Sequence, residues 1–254
     1  MPGLKVLVSA GAGGIGARIA RAFAEAGSRV HVCDIDRAAI DRLTGESPGI
    51  TASMADASLP ADVDRMFDDV RTTLGGLDVL VNNAGIAGPT RPIEEIEPTE
   101  WERTIAVNLS GQYYFARRAV PLLKRSRANP VLIAMGSVAG RLGYPLRTPY
   151  ASSQWAIVGL MKSLAIELGP YGVRVNAILP GPLAGERMNG VIAARGANLS
   201  LSFDAMQEQY LSRSSLRRMV TCDDVAAMAL FLCSPAARNV SGQAISVDGN
   251  FEYF

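Results

Sequence analysis

Short apolar runs alternate along this chain with segments of helical period. Leu4–Ser9 reads as a strand, and Ile15–Ala26, apolar at three- and four-residue spacings, reads as a helix ending near Gly27. Arg29–Cys33 is strand again, followed by helix over Ala38–Leu43 and over Val63–Leu74. Leu77–Asn82 is a short apolar strand, Trp101–Lys124 a long helix, Val131–Met135 a strand, Tyr150–Leu168 a helix and Val173–Leu179 a strand. Cys222–Cys233 reads as a late helix and Ala244–Val247 as a closing strand. Strands this rich in Val, Ile and Leu have no polar face, so helices must cover both sides of the sheet they form. The pattern predicts an α/β fold: one doubly wound, parallel-sheet domain over residues 1–254.

Composition narrows the function. A net charge of +1 gives no electrostatic reason to expect nucleic acid. No apolar run reaches the ~18 residues that a membrane span needs, and no basic-then-apolar leader precedes the first strand. No membrane partner is expected, and the cytoplasm is the expected compartment. Cys33, Cys222 and Cys233 are too few and too scattered for a disulfide framework or a zinc site. The single histidine, His31, sits in a strand, which argues against a Ser-His-Asp hydrolase and a His-held metal. It is read as a strand residue, packed or partly exposed, and no metal is expected.

Candidate chemistry begins at the first strand-to-helix turn, Ser9-Ala10-Gly11-Ala12-Gly13-Gly14-Ile15-Gly16. Glycines there let the backbone approach a pyrophosphate, whose charge then faces a helix N-terminus. Glycines also serve tight turns, but this run follows a strand and opens a helix, as dinucleotide binding requires. Asp34, with Ile35 beside it, ends the second strand about 20 residues on. A carboxylate there accepts from adenosine ribose hydroxyls and repels a 2′-phosphate, so NAD is expected rather than NADP.

These motifs, with those that follow, resemble the short-chain dehydrogenase/reductase family from residue 4 to residue 249. The family builds a Rossmann sheet, as the periodicity predicts. Its Thr-Gly-x-x-x-Gly-x-Gly turn is met by Ser9, Gly14 and Gly16, with Ala10 in place of the first glycine. A methyl group is tolerated there if Ala10 keeps a negative φ. The resemblance implies that Asp56 and Ala57 lie beside the adenine, although a loop aspartate can equally cap a helix. It further implies that Asn83, Ala84 and Gly85, in Asn82-Asn83-Ala84-Gly85, line the cofactor and stabilise the sheet. Asn108 matches the family asparagine that holds a proton-relay water. Pro180, Gly181 and Leu183 match the loop at the nicotinamide carboxamide, and Gly185 stands where many relatives carry threonine.

The implied reactive pair is Ser137 and Tyr150, thirteen residues apart. Ser137 would bond the substrate oxygen and Tyr150 would act as acid/base, interconverting a secondary alcohol and a ketone by hydride transfer. The family places a lysine four residues after the tyrosine; this chain has Gln154. A free tyrosine titrates near pH 10, and the lysine's charge normally favours the phenolate. Gln154 can bond the nicotinamide ribose but carries no charge. Lys162 and Lys124 are not obvious substitutes, and the arginines are placed mostly on helix faces or in the lid. Three readings stay open: an engineered change, a natural dehydrogenase with weakened or alkaline-shifted activity, and an NAD-binding sensor without catalysis.

Residues 186–216 are the most irregular segment and are taken as a substrate lid. Met188, Val191, Ile192, Leu199, Phe203, Met206 and Tyr210 are expected on its inner face, with Leu142, Tyr144 and Trp155 as neighbours. Leu142 and Met188, with Ser137 and Tyr150, are the expected substrate contacts. Arg187 and Arg195 are read as solvated, with a carboxylate contact as the alternative. Ser241–Gly249 matches the family's last strand, which implies a homotetramer, with a dimer next.

Overall fold

The computed structural model describes residues 2–252. Its strands are β1 (Lys5–Ser9), β2 (Arg29–Asp34), β3 (Ile50–Met54), β4 (Val79–Asn82), β5 (Val131–Met135), β6 (Arg174–Pro180) and β7 (Ala244–Val247). All pair in parallel, in the order β3-β2-β1-β4-β5-β6-β7. The helices are α1 (Gly14–Glu25), α2 (Arg37–Glu46), α3 (Pro60–Leu74), α4 (Pro98–Ile105), α5 (Gly111–Leu123), α6 (Thr148–Leu168), α7 (Glu186–Asn198), α8 (Phe203–Ser212) and α9 (Cys222–Cys233).

Strand alternation divides the interior into two cores. Val6 and Val8 of β1 pack with Ile19 and Phe23 of α1 and with α2 and α9. Leu7, between them, points to the opposite face and joins Phe67 of α3, Phe115 of α5 and Ile157 of α6. Each such fully buried Leu, Ile or Phe contributes about 1.5–3 kcal/mol over an exposed one. No helix among the described residues is long and apolar enough to cross a membrane.

Two features depart from the hydrophobic pattern. β3 is an edge strand in which Ile50 and Ser53 are buried while Thr51 and Met54 are exposed, so no apolar run marks it. The long helix expected over Trp101–Lys124 is instead α4, a π-helical turn over Ala106–Ser110, and α5. Such a turn inserts an extra residue and re-aims the side chains it carries, here Asn108. His31 is fully packed: its Nδ1 lies 2.8 Å from Thr51 Oγ1 and its Nε2 2.9 Å from Ser53 Oγ. Burial lowers its pKa to about 4.

Candidate active site

The chain runs outward from β1 through β2 to β3, then returns to place β4 on the other side of β1. Ligands of open parallel sheets bind outside the carboxyl ends of the strands at such a reversal. There the glycine turn and Asn82–Gly85 are joined. Ser9 Oγ accepts from the backbone N–H of Asn83 (2.8 Å) and Ala84 (3.0 Å). Asn83 Nδ2 donates to Ser9 O and Ala10 O, both at 3.1 Å. Gly16 must be glycine, because a Cβ would lie 2.1 Å from Ala10 O and 2.8 Å from Asn83 Nδ2. Gly11 is similarly confined by Val32 and Val8 O.

Ala10 corrects the expectation of a negative φ: it lies at φ 48°, in the left-handed region. Its carbonyl is drawn toward Asn83, and that bond selects a conformation which the methyl group disfavours.

Asp34 is turned toward the glycine turn, its carboxylate accepting from Ala12 N (3.1 Å), Ile35 N (2.8 Å) and Asp36 N (3.2 Å). Ile35 is 61% exposed beside it. Asp56 accepts from Ser58 N and Oγ and from Arg103 Nη2. Burial works against its charge, but the Ser58 and Arg103 bonds prevail and hold its carboxyl below the usual range. Its oxygens therefore already have protein partners, while Ala57 is buried against Gly111.

Asn108 is wholly buried. Its Oδ1 accepts from Ile86 N at 2.7 Å, and its Nδ2 donates to Ile86 O and to Ser153 Oγ, both at 3.1 Å. It thus fixes the segment that leaves Gly85 against α6.

A cavity of about 150 Å³ opens at the ends of β4, β5 and β6. Ile15, Asn83, Ala84 and Gly85 line it, as do Pro180, Gly181 and Leu183. Ser137, Tyr150 and Gln154 line it together, with Leu142 and Met188. Ser9, Gly11, Gly14, Gly16, Asp34, Ile35, Asp56, Ala57 and Asn108 do not line it. Ser137 is extended and its Oγ accepts from Ala139 N, which starts a short turn over Val138–Gly140. Gln154 is 4% exposed; its Nε2 donates to Ser153 Oγ at 3.4 Å, and its Oε1 has no hydrogen-bond partner. Gly185, at φ 142°, would strain a threonine.

Residues 186–216 supply α7 and α8. Val191, Ile192, Met206 and Tyr210 are buried as expected, but Leu199 (46%) and Phe203 (38%) are exposed. Trp155 is 53% exposed and does not line the cavity, but it lies beside Leu142 and Tyr144 as expected, its Nε1 donating to Leu142 O at 3.4 Å. Arg195 is not solvated: it is buried, donates to Tyr210 Oη at 3.3 Å and stacks near the Tyr144 and Tyr210 rings. Arg187 donates to Gly85 O at 3.1 Å. Arg147, Tyr144 and Phe251 also line the cavity, and the motifs do not place Arg147 or Phe251 there. Arg147 immediately precedes α6, three residues before Tyr150, a spacing that brings the two side chains together.

Residues 10–251 match the family described as enoyl-(acyl carrier protein) reductase. The chain belongs to the short-chain dehydrogenase/reductase family. It is 31% identical to D-beta-hydroxybutyrate dehydrogenase of Rhizobium meliloti (strain 1021) over 255 residues, covering 96% of this chain and 97% of the relative. It is similar to the crystal structure of 3-ketoacyl-(acyl-carrier-protein) reductase from Brucella melitensis complexed with NADH. That match has 30% identity, a TM-score of 0.87 and 98% coverage of both chains. A structure of actinorhodin polyketide ketoreductase with NADPH matches at TM-score 0.93 and 26% identity over the whole of both chains. The relatives it matches are named dehydrogenases and reductases, and the chain is an oxidoreductase of this family.

Proposed function

We propose that this protein is an NAD-dependent oxidoreductase that interconverts a secondary alcohol and a ketone. The observation that carries the reading is that Ser137, Tyr150 and Gln154 share one cavity with the Asn83–Gly85 and Pro180–Leu183 segments.

The residues present fit a dinucleotide. Gly13, which precedes α1, offers no side-chain cap, and no acidic residue lies in the helix's first turn. A Cβ at Gly13 or Gly14 would meet nothing within 4 Å, so the helix's N–H donors face open space suited to a pyrophosphate. Asp34 is placed to accept from the adenosine ribose and to disfavour a 2′-phosphate, which supports NAD over NADP. Gln154 Oε1, buried without a partner, is suited to accept from the other ribose. In this reading Asp56 and Ala57 border the adenine, and the backbone of Leu183 meets the carboxamide.

When bound, a nicotinamide supplies the acceptor or donor of hydride. In the oxidative direction Ser137 holds the alcohol oxygen and Tyr150 takes its proton while hydride leaves the same carbon. In reduction Tyr150 returns that proton. Asn108 holds the Ile86 backbone and supports the relay. Leu142 and Met188 contact the substrate, and residues 186–216 close over it as a lid. We place the protein in the cytoplasm as a homotetramer, with a dimer next; Ile166 (80% exposed) and Tyr113 (49%) support an apolar contact surface.

The test is turnover. The purified chain is assayed with NAD and NADP against a panel of secondary alcohols and ketones from pH 7 to pH 10, beside Gln154→Lys and Tyr150→Phe. Turnover with NAD that Tyr150→Phe abolishes is the expected result. NAD binding without turnover by the native chain or by Gln154→Lys would leave a sensor and overturn the enzyme.

A further inference from the structure

The family's lysine charge is missing beside Tyr150, yet a buried cation stands there on another residue. Arg147 is 3% exposed and lines the cavity. Its Nη2 donates to Ala87 O at 2.9 Å, while its Nε has no partner. None of the ion pairs among the described residues includes it. Its Cζ lies 4.6 Å from the centre of the Tyr150 ring and 5.2 Å from that of Tyr144. A buried guanidinium without a carboxylate is costly, and two aromatic rings offset only part of that cost. The charge gains most if the nearest of those rings becomes an anion.

We propose that Arg147 is the fixed cation of this site, a positioning residue that favours the Tyr150 phenolate in place of the charge Gln154 lacks. The inference rests on the reading of Tyr150 as the acid/base.

The other charges around α6 do not compete. On α4, which packs against it, Glu100 pairs with Arg91 and Arg103 with Asp56. Glu97 caps α4, and Glu102 is exposed. Along α6, Lys162 donates to Gly242 O and Glu167 lies near the far end, exposed. Arg141 reaches Ser246 Oγ, and Arg174, at the start of β6, donates to Ala237 O. From residues 186–216, Arg187 is held by Gly85 O and Arg195 by Tyr210, whose hydroxyl lies 2.7 Å from that of Tyr144. Among the described cations, Arg147 is the one stacked on Tyr150.

Arg147→Gln keeps a donor for Ala87 O and removes the charge; Arg147→Lys keeps the charge; Arg147→Met is a second uncharged variant should the glutamine chain not fold. Tyrosines labelled with ¹³C at Cζ are titrated from pH 6 to pH 11, and the Tyr150 resonance is assigned by its loss in Tyr150→Phe. The uncharged variants are expected to move the Tyr150 resonance titration upward, because they remove the cation stacked on its ring. Arg147→Lys, or Gln154→Lys added to Arg147→Gln, should restore most of it. In turnover, kcat/KM at pH 7 should fall ten- to hundredfold in Arg147→Gln and recover toward pH 10. A Tyr150 titration that does not move overturns the proposal. So does a pH-independent rise in KM confined to anionic substrates, which would make Arg147 a substrate ligand. If no alcohol or ketone is turned over, the enzymatic reading fails, but the resonance titration still decides the role of Arg147.

Discussion

Alanine at Gly13 and at Gly16 separates the two duties of the glycine turn, folding and binding. At Gly16 the new Cβ would sit 2.1 Å from Ala10 O and 2.8 Å from Asn83 Nδ2. Relief to an ordinary contact requires α1 and the turn to part by roughly 1 Å, which disturbs both bonds from Asn83 Nδ2. Those bonds are worth about 1 kcal/mol each, and overpacking adds about 1–3 kcal/mol. Gly16→Ala should therefore lose about 3–5 kcal/mol of stability. Gly13 is different: it is extended at φ −138°, and its Cβ would enter space with no atom within 4 Å. Its stability should change by no more than about 1 kcal/mol. Yet that is the space assigned to the pyrophosphate, so Gly13→Ala should weaken NADH binding at least tenfold, about 1.4 kcal/mol. Urea melts measure the first quantity and NADH fluorescence titration the second. A Gly13→Ala protein that folds and binds like the native chain would refute the placement of the cofactor. A Gly16→Ala protein of native stability would refute the packing argument.

Ala10→Gly should stabilise by about 0.5 kcal/mol, because relief of a left-handed alanine (about 1–2 kcal/mol) exceeds the added unfolded-state freedom; a lowered Tm would contradict this. His31 should make stability fall with acid. Its folded pKa of about 4 lies below the unfolded ~6.5, so its contribution is whole above pH ~6.5 and lost as pH falls toward 4. The loss is about 3 kcal/mol, and urea melts at pH 7 and pH 4.5 should show a flatter dependence for His31→Gln. An equal slope would assign the acid sensitivity to other groups. Asp34→Asn should weaken NAD binding roughly tenfold through loss of charge-assisted bonds while improving NADP binding, and parallel titrations of both cofactors decide it.

Most of the sheet is legible in the sequence because buried parallel strands need continuous apolar runs and their helices need a 3.6-residue period. β3 is not legible, because an edge strand with exposed Thr51 and Met54 can be built from residues that would suit a loop. Nor is the π-helical turn at Asn108, whose side-chain bonds to Ile86 and Ser153 are long-range and leave no local pattern. The φ of Ala10 could not be read from an alanine; it follows from a bond made by Asn83, 73 residues away. Arg147 is the instructive case. Spacing alone places it one helical turn before Tyr150, but only its stacking on the Tyr150 ring singles it out from the other buried arginines.

Arg147 and Gln154 also share a property that bears on what the cavity is for. Buried polar atoms in folded proteins nearly always have partners, and each orphan calls for an explanation. Here Arg147 Nε and Gln154 Oε1 are both orphans, and both belong to residues that line the same cavity. A core built for stability alone would replace such groups with apolar ones of similar volume, often at no cost. A glutamine retained for a bound ribose leaves Oε1 unsatisfied until the ligand arrives, and an arginine retained for a phenolate leaves a buried charge without a counter-ion until that charge forms. The pair makes a natural, weakly lysine-independent dehydrogenase a more economical reading than a chain that has merely lost its lysine. Loss of the lysine by itself accounts for the glutamine, whereas it gives no reason for a buried cation stacked on the tyrosine.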